Sequence, residues 1–276
     1  MLAILAILYV TTIACGTVGS MLVVRNESMI ADALSHSVLL GIVLAFFISH
    51  SLDSPLLVIG ATIFGVITVF AIDSFMMSAK VNHDAATGVI FPFLFAIAVV
   101  LISIFARNVH LDMDMVLLGE IIFASLNTTT LFGIAVPISL IKSSLLLAVI
   151  LLFFTLFYQK LQLLLFDPIH ARAVGVRTQG LQIVIMLLVS LTTVISFDAV
   201  GSMTVICFMV APAMTSLFWA KTFKQLLYYS SFIAIVSSTC GYFVAQLFDV
   251  TVSGTCTVIA LLICCVSVLL KKLQSR

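Results

Sequence analysis

Apolar runs of about twenty residues, broken by a few polar or charged positions, recur from one end of the chain to the other. A bilayer core about 30 Å thick needs about 20 such residues in a helix, so the pattern predicts nine candidate spans. They lie at about 2 to 24, 29 to 49, 55 to 78, 86 to 106, 136 to 158, 179 to 197, 200 to 219, 226 to 247 and 252 to 270. Only the tripeptide at Asp198 separates the sixth from the seventh. These two are therefore candidates for a tight re-entrant pair, which would leave eight full crossings. The first run, MLAILAILYVTTIACGTVGSMLVV, has neither a basic leader nor a small-residue cleavage site and reads as a retained span.

Composition supports the pattern. With 63% hydrophobic and 8% charged residues, a water-soluble globule could not cover its own surface. The expectation is one polytopic membrane domain over residues 1–276, with the lipid bilayer as solvent and no soluble domain. No basic stripe interleaved with aromatics suggests a nucleic-acid partner. The six cysteines lie in apolar runs without C-x-x-C spacing and read as small packing residues.

Charge placement orients the chain. With the N-terminus outside, alternation puts ten of the twelve Lys and Arg residues on the cytoplasmic side, leaving only Arg107 and Lys142 outside. The opposite face collects Asp53, Asp112, Asp114, Glu120, Asp198 and Asp249. Such a face attracts a cation or a basic docking partner.

Two connections stand out. Residues 107–135 hold an apolar stretch too short and too interrupted to span, which predicts a helix lying at the external interface. The longest internal loop, residues 158–180, contains Asp167-Pro168, an N-cap followed by proline at the first helical position, with Gly175 and Gly180 as stops. A cytoplasmic helix of about two turns follows, either a plain connection or a surface for a soluble partner.

The second span carries the candidate chemistry. Asp32 and His36 stand at i and i+4 on one helical face, their side chains about 5–6 Å apart. His36 lies about 16 Å deeper than Arg25, near the bilayer midplane. A carboxylate at that depth costs about 2.5–3.5 kcal/mol, so an interior, hydrated or liganded position is required. Carboxylate oxygen with imidazole nitrogen suits zinc, manganese or ferrous iron. One helix offers only two ligands, and the simplest source of two more is the same pair from a second subunit. The competing reading is an Asp-His hydrogen bond that only satisfies both groups. Ser35 is expected to bond the preceding turn, Asp73 to pair with Lys80 or snorkel, and Asp84 to cap the fourth span.

Several separated stretches resemble one family, the membrane permeases of bacterial ABC importers for manganese, zinc and iron. They are VVRNESMIADALSHSVLLGIVLAFF, DAATGVIFPFLFAIAVVL, LDMDMVLLGEII, FDPIHARAVGV and AVGSMTVICFMVAPAMTS, which together cover residues 23 to 216 in order. The resemblance implies an all-α bundle of eight to nine membrane helices, like the type II ABC importer permeases, in the bacterial cytoplasmic membrane. It implies that Asp32 and His36 line the metal pathway. Asp167, Pro168, Ala171, Arg172 and Gly175, within a loop of about 160–178, would dock on the cytoplasmic ATPase. The implied partners are that ATP-binding subunit, an extracytoplasmic metal-binding protein and a second permease, identical or paralogous. No cofactor is held permanently; the divalent metal is cargo. Ala31 and Leu40 stand where the family usually has Gly and Pro, and Glu120 where Asn is common.

The chain has no Gly-x-x-x-x-Gly-Lys-Ser/Thr loop, so ATP hydrolysis is expected in a separate subunit and the permease is not itself an enzyme. An intramembrane metalloprotease would need an H-E-x-x-H helix, and none occurs. The alternative from another class is a proton- or ion-coupled carrier that uses Asp32 and His36 as a proton relay.

Overall fold

The computed structural model describes residues 2–50, 54–105, 121, 128–131 and 134–274. Four helices come first: α1 (Leu2–Val24), α2 (Met29–Ser49), α3 (Pro55–Ala79) and α4 (His83–Phe105). A two-stranded antiparallel hairpin, β1 (Thr128–Leu131) and β2 (Ile134–Pro137), follows with Thr128 opposite Pro137. The chain continues as α5 (Ile138–Phe166), the short α6 (Pro168–Ala173), α7 (Thr178–Val200), α8 (Ser202–Leu217), α9 (Phe223–Phe248) and α10 (Val252–Gln274).

Among the described residues eight helices are long and apolar enough to cross a membrane, and α8 is shorter. At 16 residues α8 is about 24 Å long. It nevertheless runs beside α10 from end to end. The Thr204 hydroxyl donates to the Ser253 carbonyl at 3.3 Å near one end, and Lys271 Nζ donates to the Phe218 carbonyl at 2.6 Å at the other. The helix break falls at Gly201, not at Asp198, which lies inside the last turn of α7. Gly201 has φ 80° and ψ 159°, a conformation open essentially to glycine, which lets α8 start at once in a new direction.

Three expectations are corrected. Helix α5 does not stop near residue 158 but continues to Phe166. Gln159, Lys160 and Gln162 are polar, yet no helix breaker occurs before Asp167-Pro168, so hydropathy ends where the helix does not. Its 29 residues span about 43 Å and carry the last turns beyond the bilayer core. Within residues 107–135, expected to hold an interfacial helix, Thr128–Leu131 is a strand that pairs with Ile134–Pro137; Thr128–Thr130 are β-branched and favour strands. Residues 106–120 and 122–127, where the rest of that expected helix, Arg107, Asp112, Asp114 and Glu120 fall, lie outside the described residues, as does Asp53. Finally, α4 starts at His83, so Asp84 is in its first turn and favours the helix dipole instead of capping it.

Helix α1 is the axis of the bundle, packed by α5, α7, α8 and α9, while α2 packs on α3, α4 and α7. Without water to drive association, close backbone approach and interhelical hydrogen bonds hold such a bundle together. Gly19 of α1 lies directly against the Met209 backbone of α8, and Gly41 of α2 against the Gly60 carbonyl of α3. The Ser230 hydroxyl of α9 donates to the Gly16 carbonyl at 3.0 Å, and that of Ser190 in α7 to the Thr62 carbonyl at 3.1 Å.

Candidate functional site

From Ile30 to Gly41 every residue of α2 is buried except Asp32, His36 and Leu39. Their spacing of four and three residues makes one line along the helix. Glycine and small residues on the other faces set this line: Gly41 meets α3, while Ala31, Ala33 and Leu34 are fully buried in the bundle. Both acid and imidazole are therefore displayed on the single strip of α2 that its neighbours leave accessible, with exposures of 35% for Asp32 and 24% for His36.

His36 Nε2 and Asp32 Oδ1 are 3.5 Å apart. A strong N–H···O bond is 2.7–3.2 Å long, about 2.7–2.9 Å when charge-assisted, so the pair does not satisfy itself. This weighs against a purely internal bond. The imidazole is oriented from α4, where Phe91 stacks on it at 5.8 Å and Phe95 meets it edge-on at 5.5 Å between ring centroids. Two aromatic rings fix the imidazole plane and make the wall beside it apolar. The two phenylalanines were not singled out by sequence reading. The signal for them is the i, i+4 spacing of Phe91 and Phe95 in α4. The Ser35 hydroxyl donates to the Ala31 carbonyl at 2.7 Å, as expected, and takes no part in the open strip.

The pair offers one carboxylate and one imidazole. Among the described residues no group of three His, Cys, Asp or Glu side chains could hold a metal ion. Within one chain the strip therefore presents two candidate ligands, Asp32 and His36. Of the remaining histidines, His50 caps α2 in a left-handed conformation with φ 50°, and His170 is exposed on α6.

The second candidate element is α6. The Asp167 carboxylate accepts from the His170 amide at 2.9 Å and Pro168 occupies the first turn, so the N-cap forms as the residue order predicts. Gly175, at φ 85°, ends the helix with its amide donating to the Arg172 carbonyl. Ala171 is fully buried beneath it, and Arg172 Nε reaches the Thr178 hydroxyl at 3.3 Å, tying α6 to the start of α7. Ile169 and Val174 are 81% and 62% exposed. Next to them a shallow groove is lined by Gln159, Gln162, Leu163, Phe166 and Asp167.

A third cluster was missed by sequence reading. Arg25 and Glu27 pair at 2.7 Å in the four-residue connection between α1 and α2, each with a side chain only 16% exposed. Burial pushes the Glu27 carboxyl above the usual carboxylate range, an effect partly offset by Arg25; His83 and Asp73 also act on it. Asp73, expected to pair with Lys80 or to snorkel, is half-buried, and among the described residues no ion pair joins it to Lys80.

The family described as "ABC 3 transport family" matches residues 1–271. The manganese transport system membrane protein MntD of Bacillus subtilis (strain 168) is 39% identical over 245 residues, 88% of this chain and 82% of that protein. The zinc transport system membrane protein TroD of Treponema pallidum (strain Nichols) is 37% identical over 251 residues, 91% of this chain and 68% of that protein. The chelated iron transport system membrane protein YfeD of Yersinia pestis is 31% identical over 251 residues, covering 91% of this chain and 78% of that one. Among solved structures, PsaBC from Streptococcus pneumoniae in complex with Fab is similar with a TM-score of 0.79 at 25% identity, over 96% of this chain and 89% of that one.

Proposed function

The chain belongs to the ABC 3 transport family and is a multi-pass membrane permease; on that premise we propose that it is the subunit through which a divalent transition metal crosses into the cytoplasm. Manganese, zinc and iron are the candidate ions, since relatives are named for each. Two permeases, identical or paralogous, face each other across a central pathway. Each contributes Asp32 and His36 to one shared ion site. The observation that carries this reading is the open, unsatisfied Asp32–His36 strip on an otherwise buried stretch of α2.

Ligation requires neutral imidazole, so protonation of His36 weakens holding. Asp32 supplies charge for a dication, and Phe91 and Phe95 keep the ring presented to the pathway. The ion arrives from an extracytoplasmic metal-binding protein docked on the external face, where Asp198 and Asp249 are exposed. On the cytoplasmic side α5 carries α6 clear of the bilayer. Exposed Phe166, Ile169 and Val174 then give the ATP-binding subunit an apolar surface to cover. Asp167, Pro168 and Gly175 set the shape of that surface, while Ala171 and Arg172 bind it to α5 and α7 and so transmit its movement.

Uptake into proteoliposomes holding the complete importer, measured with Mn²⁺, Zn²⁺ and Fe²⁺ in turn, tests the reading and assigns the ion. ATP-dependent uptake of at least one ion is expected, reduced about 100-fold in Asp32→Ala and in His36→Ala, with assembly unchanged. Disrupting residues 167–175 should release the ATPase from the complex. Uptake that ignores ATP and follows a proton gradient would instead establish the carrier, and full uptake by both variants would remove the site.

A further inference from the structure

Lysines gather at one corner of the bundle. Lys221 and Lys224 flank Phe223, the first residue of α9, and Lys271 and Lys272 lie in the last turn of α10. The fold brings the two stretches together. Lys271 Nζ donates to the Phe218 carbonyl at 2.6 Å and stands 5.5 Å over the Phe218 ring, three residues before Lys221. The connection itself is fixed, since the Lys221 amide donates to Gln225 Oε1 at 2.9 Å and Thr222 caps α9. All four lysines are exposed. No acid offsets them: α8, α9 and α10, which pack on one another, contain neither Asp nor Glu. Asp249 follows the far end of α9, about 39 Å away along the helix.

Depth decides what such a corner meets. Phe223 packs on Phe154 and Tyr158 of α5 at 6.4 and 5.7 Å between ring centroids, where the apolar run of α5 gives way to Gln159 and Lys160. The lysines on either side of Phe223 therefore sit at the depth of the lipid headgroups. Trp219 is exposed in the same connection, and one turn further into α9 Tyr228 and Tyr229 are exposed as well. Tryptophan and tyrosine collect where hydrocarbon meets headgroups, and basic clusters at that level attract anionic lipid. A bias of positive charge to one side accounts for the sign of these residues. It does not account for four lysines without an acid on three touching helices, edged by aromatic rings. Phe223 also meets Phe166 at 6.2 Å, so the corner adjoins the surface beside α6, and a protein partner is the competing occupant. The exposed Tyr228, Leu269 and Leu273 favour lipid, because they continue the corner as an apolar face along α9 and α10.

We propose that Lys221, Lys224 and Lys272, with Trp219 in the same connection, bind the headgroup of an anionic phospholipid of the cytoplasmic leaflet. The lysines meet the lipid's negative charge, and its acyl chains lie along the exposed apolar side chains of α9 and α10. Lys271, engaged by Phe218, holds the end of α10 against that of α8 and keeps the corner in one shape. A zwitterionic lipid brings the same chains without the net charge and binds less well. The site stands whichever ion the permease carries.

Trp219, the single tryptophan of the chain, is a built-in probe. The complete importer is placed in phosphatidylcholine nanodiscs doped with brominated phosphatidylglycerol or brominated phosphatidylcholine, whose bromine quenches nearby tryptophan. The Trp219 signal is the difference in fluorescence between wild type and Trp219→Phe. Phosphatidylglycerol should quench it at about one-tenth of the mole fraction that phosphatidylcholine needs, and the preference should fade at high salt. Lys221→Gln with Lys224→Gln should remove most of that preference, whereas Lys80→Gln, at the end of α3, should leave it intact. Equal quenching by the two lipids, or a preference that survives Lys221→Gln with Lys224→Gln, overturns the site. Loss of the ATP-binding subunit from that double variant, with lipid preference unchanged, would assign the corner to the protein partner and overturn it too. Should the double variant fail to assemble, the wild type decides: a preference that is the same at low and high salt is not made by these lysines and overturns the site.

Discussion

The half of the bundle built on α1, α7, α8 and α9 and the half built on α2, α3 and α4 treat polar residues in opposite ways. In the first, hydroxyls are closed off apart from the buried Tyr242 OH: Thr192 and Thr193 bond the preceding turn at 2.6 and 2.8 Å, Ser230 bonds α1, and Tyr9 OH lies 3.0 Å from the Thr239 hydroxyl. Backbones touch, as at Gly19 and Met209. In the second, Asp32 and His36 stay 3.5 Å apart and the ends of Glu27 and His83 are left open. A membrane helix tolerates an unsatisfied ionisable group only where water or a ligand reaches it. On the proposed transport function, the first half serves as a frame and the second as a passage.

The sharpest way to break this contrast is to spoil the frame. Gly19→Leu must drive a side chain into the Met209 backbone, which cannot give way as a flexible side chain would. The expected outcome is destabilisation of about 3 kcal/mol or more, seen as loss of monodisperse protein in detergent. A well-folded variant would show that the seam is not what holds this half closed.

A smaller effect, of opposite sign, is expected in the passage. Burial raises the Glu27 carboxyl above its usual range. An acid whose folded-state pKa is raised opposes folding where it is ionised, and this cost vanishes as pH falls through the raised value. Glu27→Gln should therefore raise the thermal midpoint at neutral pH, and its advantage should shrink at mildly acidic pH. A variant less stable than wild type at neutral pH would mean that the lost Arg25 pair outweighs the relieved burial. The smallest effect belongs to the rim. Lys142 and Asp198 pair at 2.7 Å but are 45% and 57% exposed, so Lys142→Ala should cost less than about 1 kcal/mol. Uptake by that variant should match wild type at moderate salt.

The Asp32–His36 pair was legible in the sequence because both side chains lie on one helix, where spacing alone fixes a shared face. The cap and stop of α6 were legible for the same reason, being set by Asp167, Pro168 and Gly175 within a few residues. Glu27 was not. A glutamate beside an arginine in a short connection reads as a solvated loop residue, and its burial depends on how the helices pack around that connection. The full length of α5 escaped because hydropathy reports solvent preference and not helical hydrogen bonding, which Gln159 and Lys160 sustain as well as leucine does.

The sequence by itself determined the membrane class, the order and approximate bounds of the spans and the shared helical face of Asp32 and His36. All are local consequences of apolar run length and 3.6-residue periodicity. Only the tertiary structure decided that α8 runs the length of α10, that aromatic rings of α4 orient His36, and that Arg25 and Glu27 pair while largely buried. These depend on which helices touch, and that is set by close backbone approach at a few small residues such as Gly19 and Gly41. No local pattern names the partner of such a contact.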